Sequence, residues 1–221
     1  GEARLPLSTL SEFPEPPLIE PLTQTDLWKE KKEQYWHFYR DALEVLLAEA
    51  LSRGHGGTIV ILDGRGVEDY AGLFSPRYGL KRSTYLNLLF RKALENGHPN
   101  IGAAYNKLIL EALQSLAQMA TVDGAMILTL GLDIVAFGAT LNAPTWNRKV
   151  LIGPNGFGYN QGDIFPAQRY GTRHSSAINF AGAYSRCIVF VISQDGGIRG
   201  FVKSSEDTVL CWPDCNTSMF V

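Results

Sequence analysis

Two short stretches of this chain lack polar alternation: Thr58-Ile-Val-Ile-Leu62 and Cys187-Ile-Val-Phe-Val-Ile192. A strand with one wet face alternates apolar and polar side chains. A short run that is apolar throughout and rich in β-branched residues reads instead as a strand buried on both sides. The other elements fall around these two. Asp26 or Thr25 can cap a helix over 26–53, where Trp28, Tyr35, Tyr39, Ala42, Leu43, Leu46, Leu47, Ala50 and Leu51 recur at helical spacing. Its start is charged and its end apolar, so it runs from solvent into the core. Gly54, Gly56 and Gly57 stop it. Ser83 caps a second helix, 84–96, and Leu108, Ile109, Leu113, Leu116 and Met119 mark a third, 104–120. Residues 125–130 and 134–141, joined by Gly131-Leu132-Asp133, read as a hairpin. A helix over 175–184 and strands 198–203 and 208–212 complete the pattern. Residues 63–82 and 142–170 read as loops. Helices come first and hairpin-linked strands later, with one early strand. That order predicts an α/β (α+β) fold with a mixed sheet flanked by helices.

Composition narrows the classes. The chain has 221 residues, 45% hydrophobic and 19% charged, enough to bury a core. Its 20 Lys and Arg against 22 Asp and Glu give a net charge of −2, which disfavours a surface that grips long nucleic acid. Three cysteines make no disulfide framework and fit a reducing, cytoplasmic setting. No apolar run reaches the ~18 residues of a membrane span, and the start resembles no signal peptide. Pro6, Pro14, Pro16, Pro17 and Pro21 crowd that start, so residues 1–25 read as an arm or linker ahead of one domain, 26–221. A first residue that is Gly, not Met, fits a piece of a longer protein.

Three segments carry chemistry, each beside a strand. In Asp123-Gly124-Ala125 a carboxylate precedes two very small residues, leaving room for a bulky ligand at the backbone. Asp123 could hold a hard cation or take a proton from an attacking hydroxyl, and the same residues also make an ordinary Asp-Gly turn. Gly171-Thr172-Arg173-His174-Ser175-Ser176 gathers a guanidinium, an imidazole and hydroxyls at a helix start, where backbone N–H groups favour anions. That is the composition of a polyphosphate cradle, and also of a helix cap with a solvated Arg. Ser193-Gln194-Asp195-Gly196-Gly197 follows a buried strand and offers a second carboxylate or a plain hairpin turn. Cys211 and Cys215 lack a second pair for zinc, His37, His55 and His98 stand apart, and Gly153–Gly158 lacks the Lys-Ser/Thr of a P-loop. No Gly-x-Ser-x-Gly elbow occurs.

Together, in this order, these segments resemble the diadenylate cyclase (DAC) domain family. Asp123-Gly124-Ala125 and Gly171-Thr172-Arg173-His174 are the specific matches. The helix leading to Gly56-Gly57-Thr58 and the segment Gly138-Ala-Thr-Leu141 agree with the family's opening and adenine-side segments, so the resemblance spans about 40–210. It implies joining of two ATP into cyclic di-AMP with release of two pyrophosphates, using Mg²⁺ or Mn²⁺, across a facing homodimer. Asp123 would activate the hydroxyl or hold the metal, and Gly124 and Ala125 would give the nucleotide room. Gly171, Thr172, Arg173, His174 and Ser175 would cradle phosphates, with His174 also near the metal. Leu141 would line the adenine pocket, and Ser193 and Asp195 would sit near phosphates and metal.

Two positions depart from the family. Ser175 stands where a second Arg commonly follows the His, and Gln194-Asp195 where two Glu follow the Ser. Arg148, Lys149 or Arg169 would be the replacement cation. The alternative implied by the departures is a catalytically weakened module that binds ATP or a cyclic dinucleotide as a sensor.

Overall fold

The structure is a computed structural model that describes residues 41–62, 72–79, 86, 89, 103–129, 131–153, 160–194, 197–213 and 215. The expected arm 1–25, residues 26–40 of the first helix and most of helix 84–96 lie outside these, although 86 and 89 are helical. The helices are α1 (41–52), α2 (Ala103–Ala120) and α3 (Thr172–Ala183). The strands are β1 (Gly57–Leu62), β2 (Phe74–Ser75), β3 (Tyr78–Gly79), β4 (Ala125–Thr129), β5 (Ile134–Leu141), β6 (Lys149–Ile152), β7 (Cys187–Ile192), β8 (Ile198–Ser205) and β9 (Thr208–Trp212).

Among the described residues these strands form one sheet in the order β2-β5-β4-β1-β7-β8-β9-β6, with β3 also on β5. β1 runs parallel to β4 and antiparallel to β7, and β6 runs parallel to β9, so the sheet is mixed as expected. The two fully apolar runs are neighbours at its centre, with Thr58 opposite Val191 and Leu62 opposite Cys187. Their side chains divide by the period of a strand. Ile59, Ile61, Ile188, Phe190 and Ile192 join the core beneath α1 and α2, which contribute Leu43, Leu46, Leu47, Leu113, Leu116 and Ala120. Val60, Leu62, Cys187, Val189 and Val191 face the other way, into a core with Ala177, Ile178, Phe180 and Ala181 of α3. The sheet is therefore a middle layer between helices, which is why its central strands show no polar alternation.

The 142–170 segment is not all loop. β6 lies within it, clamped by a bridge from Leu151 to Ile164 and by a short 3₁₀ turn at Ala167–Arg169. The 63–82 segment likewise holds β2 and β3, which pair with the outer side of β5. The third long helix begins at Thr172, three residues ahead of the expected start, so Thr172-Arg173-His174 is its first turn. No helix among the described residues is long and apolar enough to cross a membrane.

Candidate active site

Strand direction brings the three polar segments to one edge of the sheet. β1 and β4 begin there, with Thr58 opposite Ala125, while β7 leaves there, with Ile192 opposite Gly57. β5 returns to the same edge, with Ala139 opposite Ala125. Asp123-Gly124 precedes β4, and the start of α3 lies over the gap. The result is a cleft of about 520 Å³ lined by Asp123, Gly124, Ala125, Leu141, Thr172 and Arg173, together with Arg77. A second hollow of about 450 Å³ adjoins it, sharing Leu141, Thr172 and Ser176 and adding Gly171, Ser175, Tyr170 and Asn179. Both volumes are in the range of small-molecule sites.

The cleft floor depends on two glycines. Gly124 has φ +107°, and a Cβ on it would stand 2.5 Å from the carbonyl carbon of Gly138. Gly138 has φ +61°, and its Cβ would meet the Tyr78 ring at 3.1 Å. Side chains at these positions would force β5 away from β4 and from the β2–β3 segment along its outer side. Asp123 thus sits on a narrow backbone step with its carboxylate 92% exposed at the mouth. Arg173 reaches toward it, with Nη2 3.9 Å from Oδ1. Such a loose, open pair contributes little stability, and both groups remain available to a ligand. The same guanidinium lies over Gly56. A Cβ built there would be 2.6 Å from Arg173 Nη1 and 3.3 Å from Gln194 Cγ, so Gln194 also borders the site.

α3 opens on Gly171 with no side-chain cap and no acidic residue in its first turn. Its leading N–H groups and the positive end of its dipole face the two hollows, an arrangement suited to phosphate oxygens. Thr172, Arg173 and Ser176 line the main cleft and Ser175 lines the adjoining one.

His174 is placed differently. It is buried at 5% exposure and lines neither hollow. Its ring lies 4.8 Å from that of Tyr170 and edge-on to Phe201, and Nε2 is 3.3 Å from Arg199 Nη1. A guanidinium can only donate, so Nε2 accepts and the imidazole proton is on Nδ1. Arg199 in turn lies over the Tyr170 ring at 4.6 Å, a cation–π contact on a guanidinium whose buried Nε has no hydrogen-bond partner among the described residues. The signal for this burial was present in the sequence: His174, Ala177, Ile178 and Ala181 repeat at i, i+3, i+4 and i+7, the inner stripe of an amphipathic helix.

Ser193 is half-buried in the β7–β8 turn, where its N–H donates to the Gly197 carbonyl at 2.8 Å, and it lines neither hollow. Asp195 lies outside the described residues. Of the suggested replacement cations, Arg148 is at the wrong end of the molecule. β8 leaves the cleft edge at Ile198 and reaches the far edge at Ser205, and Arg148 binds Asp207 at 2.7 Å and the Glu206 carbonyl in that far turn. Besides Arg173, the cation that lines the cleft is Arg77, from the 63–82 segment read as loop.

Among the described residues no three His, Cys, Asp or Glu side chains gather as a metal site. The donor set still fits Mg²⁺ or Mn²⁺ held jointly with a polyphosphate. Such ions take one or two carboxylates and fill their remaining positions with phosphate oxygens and water, and Asp123 offers an exposed carboxylate.

A mixed sheet with an uncapped helix start, a carboxylate and a guanidinium around one cleft defines an α/β domain whose cleft suits an anionic ligand. The model of the DAC family, described as DisA bacterial checkpoint controller nucleotide-binding, matches residues 46–205, and the chain belongs to that family. No curated protein matches in sequence. Solved structures that are similar include DacA from Staphylococcus aureus, a double mutant, at 16% identity and TM-score 0.43, covering 87% of this chain and 93% of that one. A hypothetical membrane spanning protein from Bacillus cereus has 16% identity and TM-score 0.41, covering 77% of this chain. This chain spans only 61% of the Bacillus cereus protein. The family assignment rests on the family model.

Proposed function

We propose that the protein is a diadenylate cyclase that joins two ATP into cyclic di-AMP and releases two pyrophosphates. The observation that carries this reading is the meeting of Asp123 and Arg173, 3.9 Å apart, at a cleft roofed by an uncapped helix start. Membership of the DAC family supports it.

In this reading each cleft holds one ATP, with the adenine toward Leu141 and the triphosphate along the first turn of α3. Thr172 and the leading N–H groups of α3 donate to phosphate oxygens, and Arg173 balances charge that develops at the α-phosphate. The 3′-oxygen of one ATP forms a bond to the α-phosphorus of the other. The bond from that phosphorus to the pyrophosphate oxygen breaks, pyrophosphate leaves with the bonding pair, and the hydroxyl proton passes to Asp123 or to water. A second such step closes the ring. In cyclic di-AMP each 3′-oxygen is bonded to the phosphorus of the other nucleotide, so in this reading two loaded clefts, one from each of two copies, face each other. Holding the reactants together supplies up to ~7–11 kcal/mol of the barrier. Mg²⁺ or Mn²⁺, held by Asp123 and the phosphates, supplies charge neutralisation when bound. His174 acts as a positioning residue that seats α3 through Tyr170 and Arg199.

Incubation with ATP and Mn²⁺ tests this: cyclic di-AMP should appear with two pyrophosphates per product, and Asp123→Asn should make none. The sensor reading is favoured by Ser175 and Gln194, which remove a cation and a carboxylate relative to the family pattern. Retained ATP binding with no product from the unaltered chain would select it.

A further inference from the structure

We infer that Arg77, in the two-residue break between β2 and β3 along β5, is a second triphosphate-binding cation of the main cleft. This rests on the reading of that cleft as a triphosphate site. Three charged side chains line it: Asp123, Arg173 and Arg77. Their placement follows the strand order. Arg173 lies over Gly56, just ahead of β1. Asp123 precedes β4, which is paired to β1, and Arg77 leans on β5, which is paired to β4. Asp123 is therefore rooted between the strand whose start Arg173 overlies and the strand on which Arg77 leans.

The root of Arg77 is fixed by the glycine step. Its Cβ would be 3.4 Å from a Cβ on Gly138, and Gly124 abuts Gly138 from the other side. Only the width of one strand separates the backbone of Arg77 from that of Asp123-Gly124. Proline at 76 restricts the backbone of the same strand break. Among the described residues Arg77 has no carboxylate within ion-pair distance, and its recorded contact is with the face of its neighbour Tyr78, 5.7 Å from the ring centre. An exposed guanidinium at a strand break, with no acidic partner among the described residues, adds positive potential where Arg173 already supplies it. Ser175, where the family commonly has Arg, opens to the adjoining hollow and adds no charge. Arg77 thus restores a second cation from the β5 side of the cleft.

The test uses 3′-deoxy-ATP with Mn²⁺, which lacks the attacking hydroxyl and cannot turn over, titrated calorimetrically at several salt concentrations. Arg77→Gln should weaken binding roughly tenfold and flatten the dependence of affinity on salt, because one charge contact is gone. Arg77→Lys should keep most of the affinity and the salt dependence. Arg148→Gln, a cation at the far edge, should change neither. Wild-type affinity in Arg77→Gln overturns the assignment. So does an Arg77→Lys protein as weak as Arg77→Gln, since packing and not charge would then be responsible. If the unaltered chain fails to bind 3′-deoxy-ATP, the triphosphate reading itself falls.

Discussion

Gly124 is the residue on which the site's geometry turns. Its φ of +107° is strained for any L side chain, and its Cβ would collide with the Gly138 backbone. Gly124→Ala should cost at least about 2 kcal/mol, read as a lowered denaturant midpoint, and should also end cyclic di-AMP synthesis. An unchanged midpoint would mean that the step between β4 and β5 is looser than described. Asp123→Asn should behave in the opposite way. With its side chain 92% exposed, stability should shift by no more than about 0.5 kcal/mol while synthesis is lost. Two neighbours in one motif, Arg173 and His174, also part company. They sit about 100° apart on a helix, so one can face the cleft while the other faces the core. His174→Ala should remove about 2 kcal/mol of stability, because it empties a packed place against Tyr170 and Phe201 and strips Arg199 of an acceptor. A full-stability His174→Ala protein with weakened nucleotide binding would turn the imidazole toward the ligand.

α3 joins the site to the core: its first turn meets the clefts, and Ala177, Ile178, Phe180 and Ala181 anchor it on the sheet. Phe180 is fully buried, so Phe180→Ala should cost about 3–5 kcal/mol and loosen nucleotide binding through the displaced helix. A folded variant of unaltered stability would contradict the packing. Elements like β1, β7 and the β4–β5 hairpin were legible in the sequence because buried strands leave continuous apolar runs and hairpins leave turn residues. β2 and β3 were not, since a pair of residues carries no period, and Arg77 went unseen with them. β6 was missed for a related reason. Lys149-Val-Leu-Ile152 is a short edge strand inside a Gly- and Pro-rich segment, and its pairing with β9 spans some sixty residues of intervening chain. The polar motifs Asp123-Gly124 and Thr172-Arg173 were readable as chemistry, but only the strand order shows that they share one edge.

On the scale of the whole molecule, a sheet covered on both faces buries all three cysteines. Burial pushes the Cys187 thiol from its ordinary 9.0 up to about 12. Cys211 is raised as well, first by burial and then by Cys215 beside it. The unfolded chain releases these protons near pH 9 while the folded chain retains them. Their contribution to stability is therefore full below pH 9 and is lost as pH climbs toward the folded values, at about 1.4 kcal/mol per pH unit for each thiol. Denaturant midpoints should fall between pH 9 and 11, and a Cys187→Ala, Cys211→Ala double variant should fall less steeply. Equal slopes would place those thiols in contact with water.

The fold also sets the geometry of catalysis, because all of the proposed machinery opens at one edge, where a second copy can approach. The most direct test is a crystal structure with 3′-deoxy-ATP bound. The triphosphate should lie between Asp123 and Arg173 along the start of α3, with two copies turning these clefts toward each other so that each ribose 3′-carbon points at the partner's α-phosphate. A nucleotide seated away from Asp123 and Arg173, or clefts that open in opposite directions, would contradict the account.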